Sequence, residues 1–176
     1  GLKYHDPMMV ILTNSVNTED ADLKKVFETI FKSVGEELFS KTLFELECDL
    51  QKNVLSNIGI DDEEDKFLYD YELLTGIKKE DVFKYAFNKE ENSVDFEYKI
   101  LSSNKEISLK YKNSDKDFGL IKIGDVKEFS NDFIKNEYGI SSTNSFDKEG
   151  VFENIDNSTI NVLMGSRAFY EGWDSL

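Results

Sequence analysis

Two short apolar runs bracket the chain. Met8-Met9-Val10-Ile11-Leu12 stands near one end, and Ile160, Val162, Leu163 and Met164 near the other. Each is closed at once by turn residues, Thr13-Asn14-Ser15 after the first and Gly165-Ser166 after the second. Runs of this kind predict strands buried on both faces of a parallel sheet. Between them, Leu23, Val26, Phe27, Ile30, Phe31 and Val34 recur in steps of three and four. That spacing predicts an amphipathic helix, capped by Thr18 or Asn17 and stopped by Gly35, with Glu19, Asp20 and Asp22 suiting its positive end.

Beyond Glu36 the pattern changes. Phe39, Leu43, Leu46, Leu50 and Val54 are again helically spaced, and the acidic run Asp61-Asp62-Glu63-Glu64-Asp65 precedes Phe67, Leu68, Tyr71 and Leu74. Contiguous acids at a helix start read as a solvated end that complements the dipole. Asp81 to Phe87 predicts another short helix. The period then falls to two: Val94, Phe96, Tyr98 and Ile100, then Ile107, Leu109 and Tyr111 after Ser102-Ser103-Asn104. This predicts a half-exposed antiparallel hairpin.

The parallel pattern resumes at Phe118–Ile123. Asp125 and Glu128 form a capping-box-like pair for a helix whose inner face is Val126, Phe129, Phe133 and Ile134, ending at Tyr138-Gly139. Ser141 to Ser145 reads as a polar loop and Phe146 to Ile155 as one more short helix. The expected fold class is α/β. Residues 1–35 and 117–176 form two parts of one parallel-sheet lobe, and 36–116 form an α+β insertion.

Composition narrows the function. With 36 acidic and 21 basic residues the formal net charge is −15. Such a surface repels polyanions, because phosphate contacts need Lys and Arg to displace counterions. The single Cys48 forms no internal disulfide, as suits a cytoplasmic protein. No apolar run has the length of a membrane span. His5 is the only histidine, which excludes a Ser-His-Asp triad and multi-histidine metal sites.

The closing segment Gly165–Ser175, G-S-R-A-F-Y-E-G-W-D-S, resembles motif V of superfamily 2 helicases and translocases, most of all in the Res (R) subunits of type III restriction-modification enzymes. Val10–Asp20, V-I-L-T-N-S-V-N-T-E-D, resembles motif IV of the same subunits and stands in the right order. The two segments cover a small share of the chain. The resemblance implies part of the second RecA-like lobe of an ATP-driven DNA motor, acting with a modification (Mod) subunit and cleaving DNA. It implies nucleotide contacts at Glu171, Gly172 and Asp174, the last to a ribose hydroxyl. DNA phosphate contacts are implied at Ser166, Arg167, Asn14 and Ser15.

ATP and Mg²⁺ are expected as cofactors of the full-length protein and not of this segment alone. No G-x-x-x-x-G-K-[ST] loop occurs, so the chain is not expected to hydrolyse ATP by itself. Two other readings stand beside the motor. In one, the acidic, aromatic-rich stretch 36–116 docks a partner subunit, steered by its negative field. In the other, Glu97-Tyr98-Lys99 is the E-x-K of a metal-dependent nuclease, with Asp81 or Asp95 as acidic partner. The motor reading makes one geometric demand: the runs at Met8 and Ile160 must be parallel neighbours whose carboxyl ends share a rim.

Overall fold

A computed structural model of the chain describes residues 8–16, 18, 21–33, 41, 44, 45, 48, 76, 78–90, 95–101, 104–143 and 150–166. It divides into two compact units, 1–27 with 84–176, and 28–83. The elements in chain order are β1 (Met9–Thr13), α1 (Asp22–Ser33), α2 (Lys79–Phe87), β2 (Phe96–Leu101), β3 (Glu106–Tyr111), β4 (Asp117–Lys122), a π-helix (Phe129–Glu137), β5 (Ser141–Thr143), a 3₁₀-helix (Phe152–Asn157) and β6 (Val162–Ser166). The strands form one six-stranded sheet in the order β1-β6-β4-β3-β2-β5. Pairs β1–β6, β6–β4 and β2–β5 are parallel, and only β3 runs against its neighbours. The fold is therefore α/β with a mixed, mostly parallel sheet. Among the described residues no helix is long and apolar enough to cross a membrane.

The second apolar run is the inner strand its sequence predicts. β6 lies between β1 and β4, with Val162, Leu163 and Met164 all buried. The first run is not. β1 is an edge strand, and Met9, Val10 and Leu12 are 50%, 38% and 41% exposed. An apolar run reports that a strand suits burial; it carries no information about which neighbours the chain supplies.

The hairpin also differs from its expectation. It joins the main sheet through β3–β4 pairing and falls in the same compact unit as the other strands; the second unit is 28–83. Only its first strand is half-exposed, as expected. β3 is an interior strand, so Glu106 and Ser108 are as buried as Ile107 and Leu109. Polar residues on the second face mimic the alternation of a solvated strand, but here they meet other strands' polar residues. Glu97 pairs with Lys110 at 2.9 Å, Lys99 with Asp117 at 3.5 Å, and Glu106 with Lys122.

On the opposite face, Tyr98 sends its hydroxyl to the Ser130 carbonyl of the π-helix, 3.4 Å away. Inner positions Val126, Phe129, Phe133 and Ile134 are all buried, as their spacing predicts. Asp125 caps the segment by accepting the Lys127 N–H at 2.9 Å. The helix widens to i→i+5 bonding after its first turn. That width places Ser130, also fully buried, on the inner face beside Phe129. Gly139, at φ +65°, ends it in the left-handed region that favours glycine.

The segment Ser141–Thr143 is a strand, β5, and not a loop. It pairs with Glu97–Lys99 of β2, and Thr143 Oγ1 donates to the Tyr98 carbonyl at 3.4 Å. Three hydroxyl residues on a sheet edge have no apolar face to betray them. The last short helix is the 3₁₀-helix at Phe152–Asn157, and its Phe152 and Ile155 pack on Leu120, Ile160 and Leu163. The expected helices over 38–74, and the acidic run at Asp61, lie almost wholly outside the described residues.

Below the sheet, Asn88 occupies the left-handed position after α2 (φ 49°). Its amide donates to the Asp117 and Thr159 carbonyls at 2.9 and 2.8 Å, and Asn161 donates to the Tyr85 carbonyl at 2.8 Å. These bonds tie the end of α2 to the starts of β4 and β6. Tyr111 is 1% exposed, and among the described residues its hydroxyl, like Ser108 Oγ and Asp117 Oδ1, is buried with no hydrogen-bond partner. Burial pushes that phenol above its usual range. Removing an orphan hydroxyl relieves its desolvation cost, so Tyr111→Phe is expected to raise stability by about 1 kcal/mol in urea unfolding. A loss of comparable size would show that the hydroxyl is satisfied in solution.

Candidate rim site

The carboxyl ends of parallel strands are where open α/β sheets bind ligands. Here β1 and β6 run side by side, with Met9 opposite Val162 and Thr13 opposite Ser166. Asn14 and Ser166 therefore leave adjacent strands on one rim, which meets the geometric demand set by the sequence. Two contacts hold them there. Thr13 Oγ1 donates to the Gly165 carbonyl at 3.2 Å within the core. Gly165 faces β4 so closely that a Cβ there would sit 3.2 Å from the Lys122 carbonyl oxygen. The small residue is thus set by close backbone approach, beyond any role in turning the chain.

Asn14 is exposed and Ser166 half-buried. Ser15 is differently employed. Its Oγ accepts the Asp22 N–H at 2.9 Å and its carbonyl accepts the Leu23 N–H at 3.3 Å, so Ser15 caps α1 where Thr18 or Asn17 was expected to. Thr18 contributes only its carbonyl, to Ala21 N–H at 3.1 Å. A cap seven residues upstream of the N–H it binds needs the chain to loop back, which nearest-neighbour reading does not see. Arg167, Glu171, Gly172 and Asp174 lie outside the described residues, as does His5. The structure thus brings together Asn14, Ser15 and Ser166 of the expected set and leaves the nucleotide-contacting residues unplaced.

Sequence reasoning missed what stands beside them on the rim. Glu106, at the start of β3, is fully buried. Its Oε1 meets the Lys122 ammonium, and its Oε2 accepts the Val151 and Phe152 N–H groups at 2.8 and 3.3 Å. Lys122 also lies over the Phe152 ring at 5.2 Å. The buried charge is thereby paired and hydrogen-bonded, as an interior charge must be. The pair locks the ends of β3 and β4 to the start of the 3₁₀-helix. Its only trace in the sequence is a charged residue at the start of one strand and another at the end of the next.

Between α1 and the π-helix lies a cavity of about 40 Å³, lined by Lys24, Glu128, Phe129, Asp132 and Phe133 among others. Cofactor pockets are roughly 300 Å³ or larger, so this one does not hold a nucleotide.

The E-x-K triplet finds a structural role. Asp95, Glu97 and Lys99 share one face of β2, but Lys112 sits 3.2 Å from Asp95 and Lys110 2.9 Å from Glu97. Asp81 lies in α2. Among the described residues no group of three or more His, Cys, Asp or Glu side chains is placed to hold a metal ion. The triplet belongs to a cross-strand ion ladder.

Comparison of the chain with protein-family models, with curated proteins and with solved structures returned no match.

Proposed function

We propose that this chain is part of the second RecA-like lobe of an ATP-driven DNA translocase of the Res-subunit kind. The observation that carries the reading is the parallel β1–β6 pairing with Thr13 opposite Ser166. It sets the starts of the two segments that resemble motifs IV and V, Val10–Thr13 and Gly165-Ser166, on neighbouring strands, although they lie at opposite ends of the chain. In this reading Asn14, Ser166 and Arg167 face a DNA phosphate, with hydroxyl, amide and guanidinium donors of the type that position a backbone without reading sequence. Gly172, Glu171 and Asp174 face the nucleotide. The −15 charge limits this segment to a few local phosphate contacts, and the basic track lies elsewhere in the motor.

The test is made in the full motor subunit with its Mod partner, ATP and Mg²⁺. Asp174→Ala is expected to weaken nucleotide binding about tenfold, the worth of one lost hydrogen bond to a charged group. Ser166→Ala is expected to lower DNA-stimulated ATP hydrolysis with basal hydrolysis unchanged. Wild-type nucleotide affinity in the first and wild-type DNA stimulation in the second would remove the reading.

The docking reading keeps one supporting observation, that 28–83 forms a compact unit of its own. Because the hairpin at 96–111 belongs to the sheet, the deletion that tests docking must be confined to that unit. Intact assembly with the Mod subunit after such a deletion excludes it.

A further inference from the structure

A buried hydroxyl stands at the end of β1. Thr13 is 3% exposed, beside a strand that buries the apolar Val162, Leu163 and Met164. Valine has the shape of threonine and no polar atom to desolvate, so packing alone favours valine at this position. The Thr13 hydroxyl instead donates to the Gly165 carbonyl, 3.2 Å away and 152 residues on in the chain.

That carbonyl belongs to the peptide unit leading into Ser166. A peptide unit is planar, so its carbonyl oxygen and the Cα of the following residue lie in one plane. A bond held on the oxygen therefore fixes the plane from which the Ser166 side chain departs. On the other side of β6 the same unit is confined by β4, whose Lys122 carbonyl oxygen would stand 3.2 Å from a Cβ at Gly165. Thr13 and Ser166 also lie directly opposite each other. Their side chains leave the same face of the sheet, from strands about 4.8 Å apart.

We propose that Thr13 is a positioning residue, whose hydroxyl orients the Gly165–Ser166 peptide and so aims Ser166 at a nucleic-acid phosphate. The role rests on the reading of Ser166 as a DNA phosphate contact. Being buried, Thr13 acts through Ser166 and not on the phosphate itself. A hydrogen bond weakens steeply as its angle departs from linear, so a small turn of the peptide plane costs the contact without unfolding the strand.

Two substitutions separate this role from packing. Thr13→Val keeps the branched shape and strand preference but loses the hydroxyl, whereas Thr13→Ser keeps the hydroxyl and loses a buried methyl. Packing alone ranks valine above serine; positioning ranks serine above valine. The measurement is DNA-stimulated ATP hydrolysis by the full motor subunit with its Mod partner, with thermal unfolding of each variant alongside. In Thr13→Val the DNA concentration for half-maximal stimulation is expected to rise about fivefold, the worth of one neutral hydrogen bond. In Thr13→Ser it is expected to stay within about twofold of wild type, although this variant unfolds at the lower temperature of the two. Ser166→Ala removes what Thr13 positions, so adding Thr13→Val to it is expected to change the DNA requirement no further.

Wild-type DNA dependence in Thr13→Val, with Ser166→Ala impaired, overturns the positioning role and leaves the phosphate contact standing. Wild-type dependence in Ser166→Ala removes the contact, and the proposal with it. A Thr13→Ser subunit impaired as much as Thr13→Val, or effects of Thr13→Val and Ser166→Ala that multiply, also overturns it.

Discussion

Glu106→Ala is expected to destabilise the protein by about 3–5 kcal/mol, among the largest effects of any single substitution. The change removes the carboxylate facing Lys122, whose side chain is only 13% exposed, and strands that ammonium in the interior. It also deprives the Val151 and Phe152 N–H groups of their acceptor. Glu106→Gln separates the two losses: the amide oxygen still serves the N–H groups while the charge opposite Lys122 is gone, so a loss of roughly half that size is expected. Adding Lys122→Met to Glu106→Gln removes the stranded charge and should recover most of the stability, since apolar replacement of a buried pair is often neutral. Urea unfolding and thermal melts read the series, and for a chain of this size the alanine variant should melt on the order of 10 °C lower. A loss under 1 kcal/mol for Glu106→Ala would mean that the site is hydrated and the clamp weak.

Phe27→Ala is expected to cost about 3–4 kcal/mol. Phe27 is 3% exposed and stands edge-on to Phe129, Phe133 and Tyr138, with ring centroids 6.1, 5.6 and 5.7 Å away. One side chain thus joins α1 to the π-helix through three ring pairs, whose quadrupoles favour this geometry. The cavity left by alanine has aromatic walls on several sides and collapses poorly. Phe27→Leu keeps most of the volume and loses only the ring pairing, so about 1 kcal/mol is expected. Because Ser15 caps α1 at Asp22, the alanine variant should also disturb the rim, seen as shifts of the Ser15 and Asp22 amide resonances. Equal stability of the alanine and leucine variants would remove the aromatic cluster as the cause.

Part of this fold follows from the sequence by itself. The apolar run at Val162–Met164 determines an inner strand, because a strand covered on both faces has no solvent side to keep polar. The three- and four-residue spacing from Leu23 to Phe31 determines α1, and the period of two determines β2 and β3, because side-chain direction repeats with the local backbone geometry. Val126, Phe129, Phe133 and Ile134 mark an inner helical face for the same reason. Adjacency of Asn14 and Ser166 was demanded by the resemblance of their segments to motifs IV and V, and the parallel β1–β6 pairing meets it.

Other features were decided by tertiary structure alone. That Met8–Leu12 seeds an edge strand depends on what lies on its far side, which no local pattern encodes. Ser141–Thr143 becomes a strand through backbone bonds to β2, and backbone groups are the same in every residue. Ser15 caps α1 from seven positions upstream of Asp22 because the chain folds back there. Widening of the helix at Phe129 answers the packing of Ser130 beneath Tyr98. Most of all, Glu106 and Lys122 read as ordinary charged strand ends until pairing of β3 with β4 sets them opposite each other. Charges separated in sequence neutralise one another only where the fold brings them together, and that distance is a property of the whole sheet.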